Sequence, residues 1–178
     1  MNNILDQIIL YTLILLTASC GYKRGAEVRQ EAAEDYKNTT IQAKKQFIEH
    51  ESQLIDSYIE NSDLDFFRSG TGLRYHIVRD GDGALATVGD DISIDYSVEL
   101  LNGTQCYNTS DNGPENFRLG YKDVPAGLSE GLQLLKKNGE AIFIIPSHLA
   151  YGLTGDQNKI PGNTAIIYNV QLRELQKN

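Results

Sequence analysis

The sequence contains no tryptophan, and only three of its 178 residues are histidine and two are cysteine. His50, His76 and His148 fall in separate predicted elements, without the close spacing that zinc-binding motifs show. No G-x-S-x-G elbow, phosphate-binding loop or dinucleotide fingerprint occurs. The two cysteines, Cys20 and Cys106, could form one disulfide, but their sequence contexts differ sharply. We therefore expect neither a metal site nor a bound cofactor.

An excess of basic residues is also missing. The sequence has 24 Asp and Glu against 16 Lys and Arg, which gives a net charge of −8. Its basic pairs are scattered, at Lys23-Arg24, Lys44-Lys45 and Lys136-Lys137. Because nucleic-acid phosphates are bound by clustered Lys and Arg, we expect no nucleic-acid partner. An apolar content of 40% over this length suffices for one domain with a core and an appendage.

No apolar run is long enough to span a membrane as a helix. The longest extends from Ile8 to Leu16, whereas a spanning helix needs about 20 residues. The following "TASC" resembles the lipobox of bacterial lipoproteins, so we predict a signal peptide over 1–19 and a lipid-modified Cys20. That anchor would hold the chain on the periplasmic side of the bacterial cell envelope. The alternative is a truncated membrane anchor or a mispredicted start, because Thr17 replaces the commoner Leu and no basic residue precedes the run.

Residues 20–62 are predicted to form a helical tether. The first half is mostly charged, and the second half should dock on the domain that follows; binding of a partner is the alternative. Asn61-Ser62-Asp63 ends the pattern. Apolar residues recur at spacings of three, four and seven, which indicates a helical stripe of Phe47, Ile48, Leu54, Ile55, Tyr58 and Ile59.

From residue 63 to 178 the apolar period changes from that of a helix to that of a strand. Strands are predicted over 73–79, over 92–100 with strict alternation, and in "EAIFIIPS" and "TAIIYNVQLREL". "DGDG" is interpreted as a turn, and residues 104–116 as irregular.

One short helix is predicted in "PAGLSEGLQLLKKNG", with Pro125 at its start, Lys136-Lys137 in its last turn and Gly139 beyond. Leu128, Leu132 and Leu135 would form its buried face. The expected fold is α+β, a curved antiparallel sheet wrapped around this helix.

The second half of the chain also carries a set of aromatic and aliphatic residues, and the plain interpretation is that they are core. Tyr151 and Ile160 are less easily explained in that way, because they flank the polar loop "AYGLTGDQNKIP" rather than belong to a regular element. The full set is Tyr96, Tyr107, Phe117, Val124, Leu128, Tyr151, Ile160 and Tyr168.

A family resemblance rests on blocks that follow one another in order through residues 71–178. They are "GDGALATVGDDISIDYSV", "NGTQCYNTS", "FRLG", "VPAGLSEGLQLLKKNGE", "IPSHLAYGLTG" and "IPGNTAIIYNVQLREL". This part resembles an FKBP-type peptidyl-prolyl cis-trans isomerase domain. With its tether and lipobox, the chain further resembles the envelope lipoprotein branch of that family, which includes gliding-motility-associated members.

The resemblance implies that seven residues of the set form the walls of a shallow pocket for a proline ring. Tyr151 would be catalytic, donating its hydroxyl to the carbonyl of a bound peptide. The implied function is prolyl isomerisation that assists the folding of exported or envelope proteins, without metal or cofactor. The wall residues are Tyr96, Tyr107, Phe117, Val124, Leu128, Ile160 and Tyr168.

Three positions depart from the family pattern. Asn108, assigned with Tyr151 to the catalytic residues, aligns where a pocket carboxylate is usual, after one inserted residue. Leu128 replaces the usual Trp of the pocket floor. Pro125 replaces an Ile whose backbone N–H binds the peptide, and proline has no N–H. The alternative function is therefore a catalytically weak module that binds polypeptides as a chaperone or assembly factor.

Overall fold

The structure is a computed structural model that describes residues 3–178, with the side chains of residues 28–110 and 112–178. The chain divides into two units, Met1–Glu49 and His50–Asn178. The predicted signal peptide and the predicted lipidation site at Cys20 lie outside the residues whose side chains are described. Within the described part of the chain, no helical stretch combines the length and the apolar character that crossing a membrane requires.

Helix α1 extends over Asn3–Glu60 and ends where the sequence predicted, before Asn61. Between residues 28 and 49 its described side chains are almost all exposed, including Val28 and Tyr36. The polar composition of this stretch explains the exposure, because it provides no continuous apolar face to bury.

The second unit contains nine strands and a second helix, α2, over Ala126–Leu132. The main sheet is antiparallel throughout, in the order β1-β2-β8-β9-β4-β5, with β6 also paired to β4. β3 and β7 form a separate two-stranded sheet. The strands are β1 Phe67–Arg68, β2 Arg74–Arg79, β3 Asp82–Leu85, β4 Asp91–Leu100, β5 Gln105–Asn108, β6 Glu115–Arg118, β7 Lys136–Lys137, β8 Glu140–Ile145 and β9 Ile166–Gln176.

The inner face of this sheet forms the main core with α2, as the alternation of β4 and β9 predicted. Paired residues share a face, so Val98 and Tyr168, which are opposite one another, both point inward. α2 lies unusually close to β8, because a Cβ on Gly131 would come within 2.8 Å of the Phe143 ring. The absence of a side chain at Gly131 therefore sets how deeply α2 enters the sheet.

The outer face of the sheet carries a second, smaller apolar cluster. Ile55 of α1 is fully buried against Ile144, Ala165 and Ile167. The prediction that the second half of the tether docks on the domain is confirmed for this part of the stripe, whereas Leu54 remains exposed.

The structure corrects three predictions about local structure. α2 ends at Leu132, and Lys136-Lys137 form β7 instead of its last turn. The chain turns after β7 at Asn138, which adopts φ 63°. The predicted "DGDG" turn is partly a strand, because β3 begins at Asp82, which pairs with Lys137 of β7. β5 forms inside the segment predicted to be irregular. Pairing with distant strands caused all three differences, and local sequence patterns do not show such pairing.

Candidate functional site

The structure brings the eight predicted residues together in one cluster on the inner face of the main sheet, which we call the tyrosine cluster. Three of them are buried in the core and the other five pack against it, partly buried. Four of the side chains come from strands, one each from β4, β5, β6 and β9. Two come from α2 and the segment just before it, and the remaining two from the loop over 150–161. The members are Tyr96, Tyr107, Phe117, Val124, Leu128, Tyr151, Ile160 and Tyr168.

Tyr168 lies at the centre of the cluster. It is 4% exposed, and its ring centroid is 5.4 Å from that of Tyr96, with the planes tilted by 49°. Burial raises the pKa of Tyr168, and the nearby Tyr151 raises it further. The pKa of Tyr96 is raised for the same first reason, burial. These hydroxyls therefore remain neutral donors throughout the physiological pH range.

Burial is also the largest cause that raises the pKa of the Tyr151 hydroxyl, so this hydroxyl keeps its proton at neutral pH. Tyr151 and Tyr168 lie close enough for each to affect the pKa of the other. A tyrosine hydroxyl has one proton and can also accept. The predicted role needs Tyr151 to donate that proton to a ligand.

Asp156 organises the loop over 150–161, which we call the loop wall. One carboxylate oxygen accepts hydrogen bonds from the backbone N–H groups of Asn158 at 2.9 Å and Ile160 at 2.8 Å. The other oxygen accepts from the hydroxyl of Tyr107 on β5. Burial raises the pKa of Asp156, but these hydrogen bonds outweigh that effect and hold it below its usual value. A single side chain thus fixes both Ile160 and Tyr107.

A second group of residues, which we call the helix wall, lies at the start of α2. It consists of Val124, Pro125 and Leu128. Leu128 is buried in the core, where it is 2% exposed. Val124, in the segment before the helix, is partly buried and packs against the same core. Pro125 precedes the helix with φ −48° and ψ 135°, and its carbonyl accepts from Ser129 N at 3.0 Å. Lacking an N–H, Pro125 cannot donate a backbone hydrogen bond to a ligand.

Asn108 is the one predicted site residue that the structure does not bring to the cluster. Strand register sets Tyr107 opposite the core residue Val98, and Asn108 opposite Ser97 on the other face. The side-chain oxygen of Asn108 accepts from Ser110 N at 2.8 Å, which caps the short 3-10 turn after β5. The structure therefore places Asn108 on the outer face of the sheet, and a catalytic role for it stays a prediction.

A bulge in β5 accounts for the inserted residue. Gln105 pairs with Glu99 and Tyr107 with Val98, so Cys106 has no opposing residue and enters the core, 2% exposed. Burial raises the pKa of the Cys106 thiol, which keeps it protonated and unreactive at neutral pH.

An open groove of about 710 Å³ occupies the outer face of the main sheet. Asn108 borders it together with Asp95, Ser97, Asn169 and Arg173. These side chains are polar, and Asp95 pairs with Arg173. The groove is also lined by apolar residues, Val78, Tyr96, Pro114, Ile142 and Val170. The tyrosine cluster remains the candidate site because it gathers the aromatic rings over the apolar core.

Sequence reasoning missed Asp156 as a site residue. Asp156 lies in the polar loop over 150–161, and an Asp two residues before Asn158 is a common way to cap a turn. That pattern could have predicted the bond to Asn158. The contact with Tyr107, 49 residues away in the sequence, could not be predicted from local spacing.

Comparison with known proteins gives a consistent result. Residues 83–173 match the family FKBP_C, described as FKBP-type peptidyl-prolyl cis-trans isomerase. Over 108 residues, the chain is 38% identical to the probable FKBP-type peptidyl-prolyl cis-trans isomerase FkpA of Neisseria meningitidis. Over 109 residues, it is 35% identical to FkpA of Escherichia coli K12. These alignments cover 60% and 61% of this chain but 39% of each relative, so the chain spans about two fifths of their length.

Two solved structures support the fold. The crystal structure of FkpA from Escherichia coli matches with a TM-score of 0.64 and 27% identity, covering 96% of this chain and 73% of that one. The crystal structure of AtFKBP13 matches with a TM-score of 0.58 and 25% identity, covering 62% of this chain and 98% of that one. The predicted α+β class and curved antiparallel sheet are thereby confirmed.

Proposed function

This chain belongs to the FKBP-type peptidyl-prolyl cis-trans isomerase family, and on that premise we propose that it catalyses the cis–trans isomerisation of X-Pro bonds in polypeptides. The observation that carries the proposal is the tyrosine cluster, where four neutral hydroxyl-bearing rings adjoin an apolar floor. Its chemistry requires no metal, cofactor or nucleophile. The substrates are proline-containing segments of unfolded or exported proteins.

The reaction is slow without help because the amide bond has partial double-bond character. Rotation has a barrier of about 20 kcal/mol, and an X-Pro bond takes roughly tens of seconds to exchange unaided. Rotation breaks no covalent bond, so the protein needs only to bind the twisted amide more tightly than the planar one.

The tyrosine cluster can supply that difference in two ways. Resonance gives the planar amide greater charge separation than the twisted form, so an environment that excludes water disfavours the planar form relative to the twisted one. Tyr168 and Leu128 provide such an environment beneath the site. The Tyr151 hydroxyl can then donate a hydrogen bond to the peptide carbonyl and hold the chain in a turn around the proline. Each ~1.4 kcal/mol of preferential binding gives about a tenfold gain in rate.

Two substitutions test the site. Tyr151→Phe removes one hydrogen bond, worth ~0.5–1.5 kcal/mol, and should lower kcat/KM about two- to tenfold. Tyr168→Leu should weaken both isomerisation and peptide binding. NMR exchange spectroscopy on short X-Pro peptides measures the rate, and Tyr36→Phe, at an exposed tyrosine of α1, is the matched control. If neither substitution changes rate or binding, the site assignment is wrong.

A second candidate function follows from Pro125, because proline has no backbone N–H that could donate to a bound peptide at the helix wall. The chain would then bind polypeptides as a chaperone or assembly factor without useful catalysis. The same measurements distinguish the two functions. If the unaltered protein isomerises the peptides no faster than buffer but still binds them, the binding function stands and the enzymatic one fails.

We extend the proposal to the location of the protein. Residues 1–19 would be removed as a signal peptide, Cys20 would carry the lipid, and residues 20–62 would connect this anchor to an isomerase domain over 63–178. The support is the apolar run that precedes "TASC". Cys20→Ser should abolish lipid labelling in cells and leave an unprocessed or unanchored form; labelling that survives would contradict the lipid anchor.

A further inference from the structure

The end of α1 places a buried carboxylate against the segment that leads into the loop wall. Glu51 is 5% exposed, and its two carboxylate oxygens accept hydrogen bonds from the backbone N and the Oγ of Ser147, both at 3.0 Å. Ser147 is itself 2% exposed. A buried carboxylate is costly unless it is hydrogen-bonded, so these two bonds are what make the position of Glu51 favourable.

Ser147 passes this connection on to Tyr151. It begins the 3-10 turn Ser147–Leu149, and its carbonyl accepts from Ala150 N at 3.1 Å and from Gly152 N at 2.8 Å. Ala150 and Gly152 are the residues on either side of Tyr151. The backbone on both sides of Tyr151 is therefore hydrogen-bonded to Ser147, and Ser147 is in turn hydrogen-bonded to Glu51.

A parallel set of contacts reaches α2, the helix that carries Leu128. Arg74, 3% exposed, donates to Ser52 Oγ at 2.6 Å, to Asp56 Oδ1 at 2.7 Å and to the carbonyl of Gly72 at 2.6 Å. In the turn that Gly72 belongs to, Thr71 donates to Glu130 of α2 at 2.7 Å. The last turns of α1 are thus joined by side-chain hydrogen bonds to Ser147, which precedes the loop wall, and, through Arg74 and the turn at 71–72, to α2.

We infer that Glu51 is a positioning residue for Tyr151: by holding Ser147 in place, it keeps the Tyr151 hydroxyl aimed at the site. This inference rests on the proposed function, since Tyr151 is taken to bind the substrate carbonyl. Packing of α1 on the sheet is supplied separately by Ile55, which is fully buried on the outer face. Glu51 and Ile55 therefore allow the aiming of the loop to be separated from the docking of the helix.

The test compares three substitutions in the full chain. Glu51→Ala removes both acceptors and should lower kcat/KM about two- to tenfold, by no more than Tyr151→Phe does and mostly through kcat. Glu51→Gln should restore kcat/KM to within about twofold of the unaltered protein. Its amide oxygen can accept from Ser147 N, and the Ser147 hydroxyl can rotate to accept from its NH2 group. Ile55→Val is the control that loosens the docked helix without touching Ser147, and it should leave kcat and KM unchanged.

The NMR signals of the Tyr151 ring, assigned with Tyr151→Phe, give a readout that needs no catalysis. They should shift in Glu51→Ala, return in Glu51→Gln and stay in place in Ile55→Val. If the unaltered protein proves inactive, the proposed function fails, and these signals together with peptide affinity still decide the positioning role.

Three results would overturn the inference. One is unchanged kcat and Tyr151 signals in Glu51→Ala. Another is Glu51→Gln being as impaired as Glu51→Ala, which would show that charge and not hydrogen bonding matters. The third is an equal loss of kcat in Ile55→Val, which would show a general effect of helix docking. If Glu51→Ala does not fold, Ser147→Ala removes one of the two donors, and unchanged Tyr151 signals there would overturn it equally.

Discussion

The loop wall and the helix wall flank the same cluster but are held in place by different interactions. In the loop wall, Asp156 accepts three hydrogen bonds from three residues, two of them local and one from β5. In the helix wall, Gly127 and Gly131 let α2 approach so closely that a Cβ on either would collide with Ile145 or Phe143. The loop wall depends mainly on hydrogen bonds, three of them to Asp156, and the helix wall on close apolar packing.

This difference indicates which kind of substitution would disturb each wall of the site. A hydrogen-bonded loop can be changed by removing one acceptor that serves three donors, even where other bonds, such as the one from Gly152 N to the carbonyl of Ser147, also hold it. Two of the three departures from the family pattern lie in the helix wall, at the buried residues Pro125 and Leu128, whereas Asn108 lies on the outer face of the sheet. The loop wall, in contrast, is anchored by Asp156.

The largest expected effect is that of removing this anchor. Asp156→Ala should lower the free energy of unfolding by about 1–3 kcal/mol, because three donors lose their acceptor. It should also lower kcat/KM about 10- to 100-fold, since both Ile160 and Tyr107 would leave their positions. Urea unfolding and NMR exchange on an X-Pro peptide measure the two quantities.

Two further variants calibrate this result. Tyr107→Phe removes only the donor from β5 and should produce an intermediate loss of stability and rate. Thr154→Ala, at an exposed position of the same loop, should change neither quantity noticeably. If Asp156→Ala behaves like Thr154→Ala, the loop wall is held by something other than Asp156.

Acid should weaken the loop wall in a predictable pH window. Hydrogen bonds keep the pKa of Asp156 below its usual value of 3.8, so the unfolded state binds the proton more readily than the folded state. The stability that Asp156 provides is therefore complete above this value and is lost as the pH falls through the lower pKa of the folded state. Urea unfolding of the unaltered protein and of Asp156→Asn at several pH values measures the contribution of Asp156 to the free energy of unfolding. Their difference should be constant above about pH 5 and disappear in strong acid; a difference that persists there would contradict the role of Asp156.

Much of the fold could be predicted from the sequence because strong local patterns mark it. The alternation in β4 and β9 and the leucines at helical spacing each identify a buried face without any tertiary information. β3, β5 and β7 were missed because they are short and polar, and they exist only where a partner strand meets them. Lys137, for example, looks like the end of a helix locally but pairs with Asp82 across the second sheet.

The residues of the site fall into the same two groups, those that local sequence patterns predict and those that depend on distant contacts. Its apolar and aromatic members were predicted because they match both the strand periodicity and the family resemblance. Their polar supports, Asp156 and Glu51, were not, because each acts on a residue far away in the sequence. The misplacement of Asn108 has a related cause, since the bulge at Cys106 decides which face of β5 the next residues occupy.

A gain of function is expected in the helix wall. Pro125→Ile returns a backbone N–H to the mouth of the site and should raise peptide affinity about two- to tenfold. It should also reduce stability by about 0.4–1 kcal/mol, because the unfolded chain loses the rigidity of proline. Pro125→Ala carries the same N–H and should also gain affinity in peptide titrations followed by NMR. A gain seen with Ile alone would assign the effect to the side chain instead of the backbone.

The smallest expected effect concerns Asn108, on the outer face. Asn108→Ala removes the cap on Ser110 N and should cost about 0.5–1.5 kcal/mol of stability, while kcat/KM at 25 °C changes by less than about twofold. Asn108→Asp keeps an acceptor for Ser110 N and should retain the stability, again without a gain in rate. Thermal unfolding and exchange spectroscopy on the same samples measure both. A loss of rate in Asn108→Ala as large as that in Tyr151→Phe would show that Asn108 reaches the substrate, and would return it to the catalytic residues.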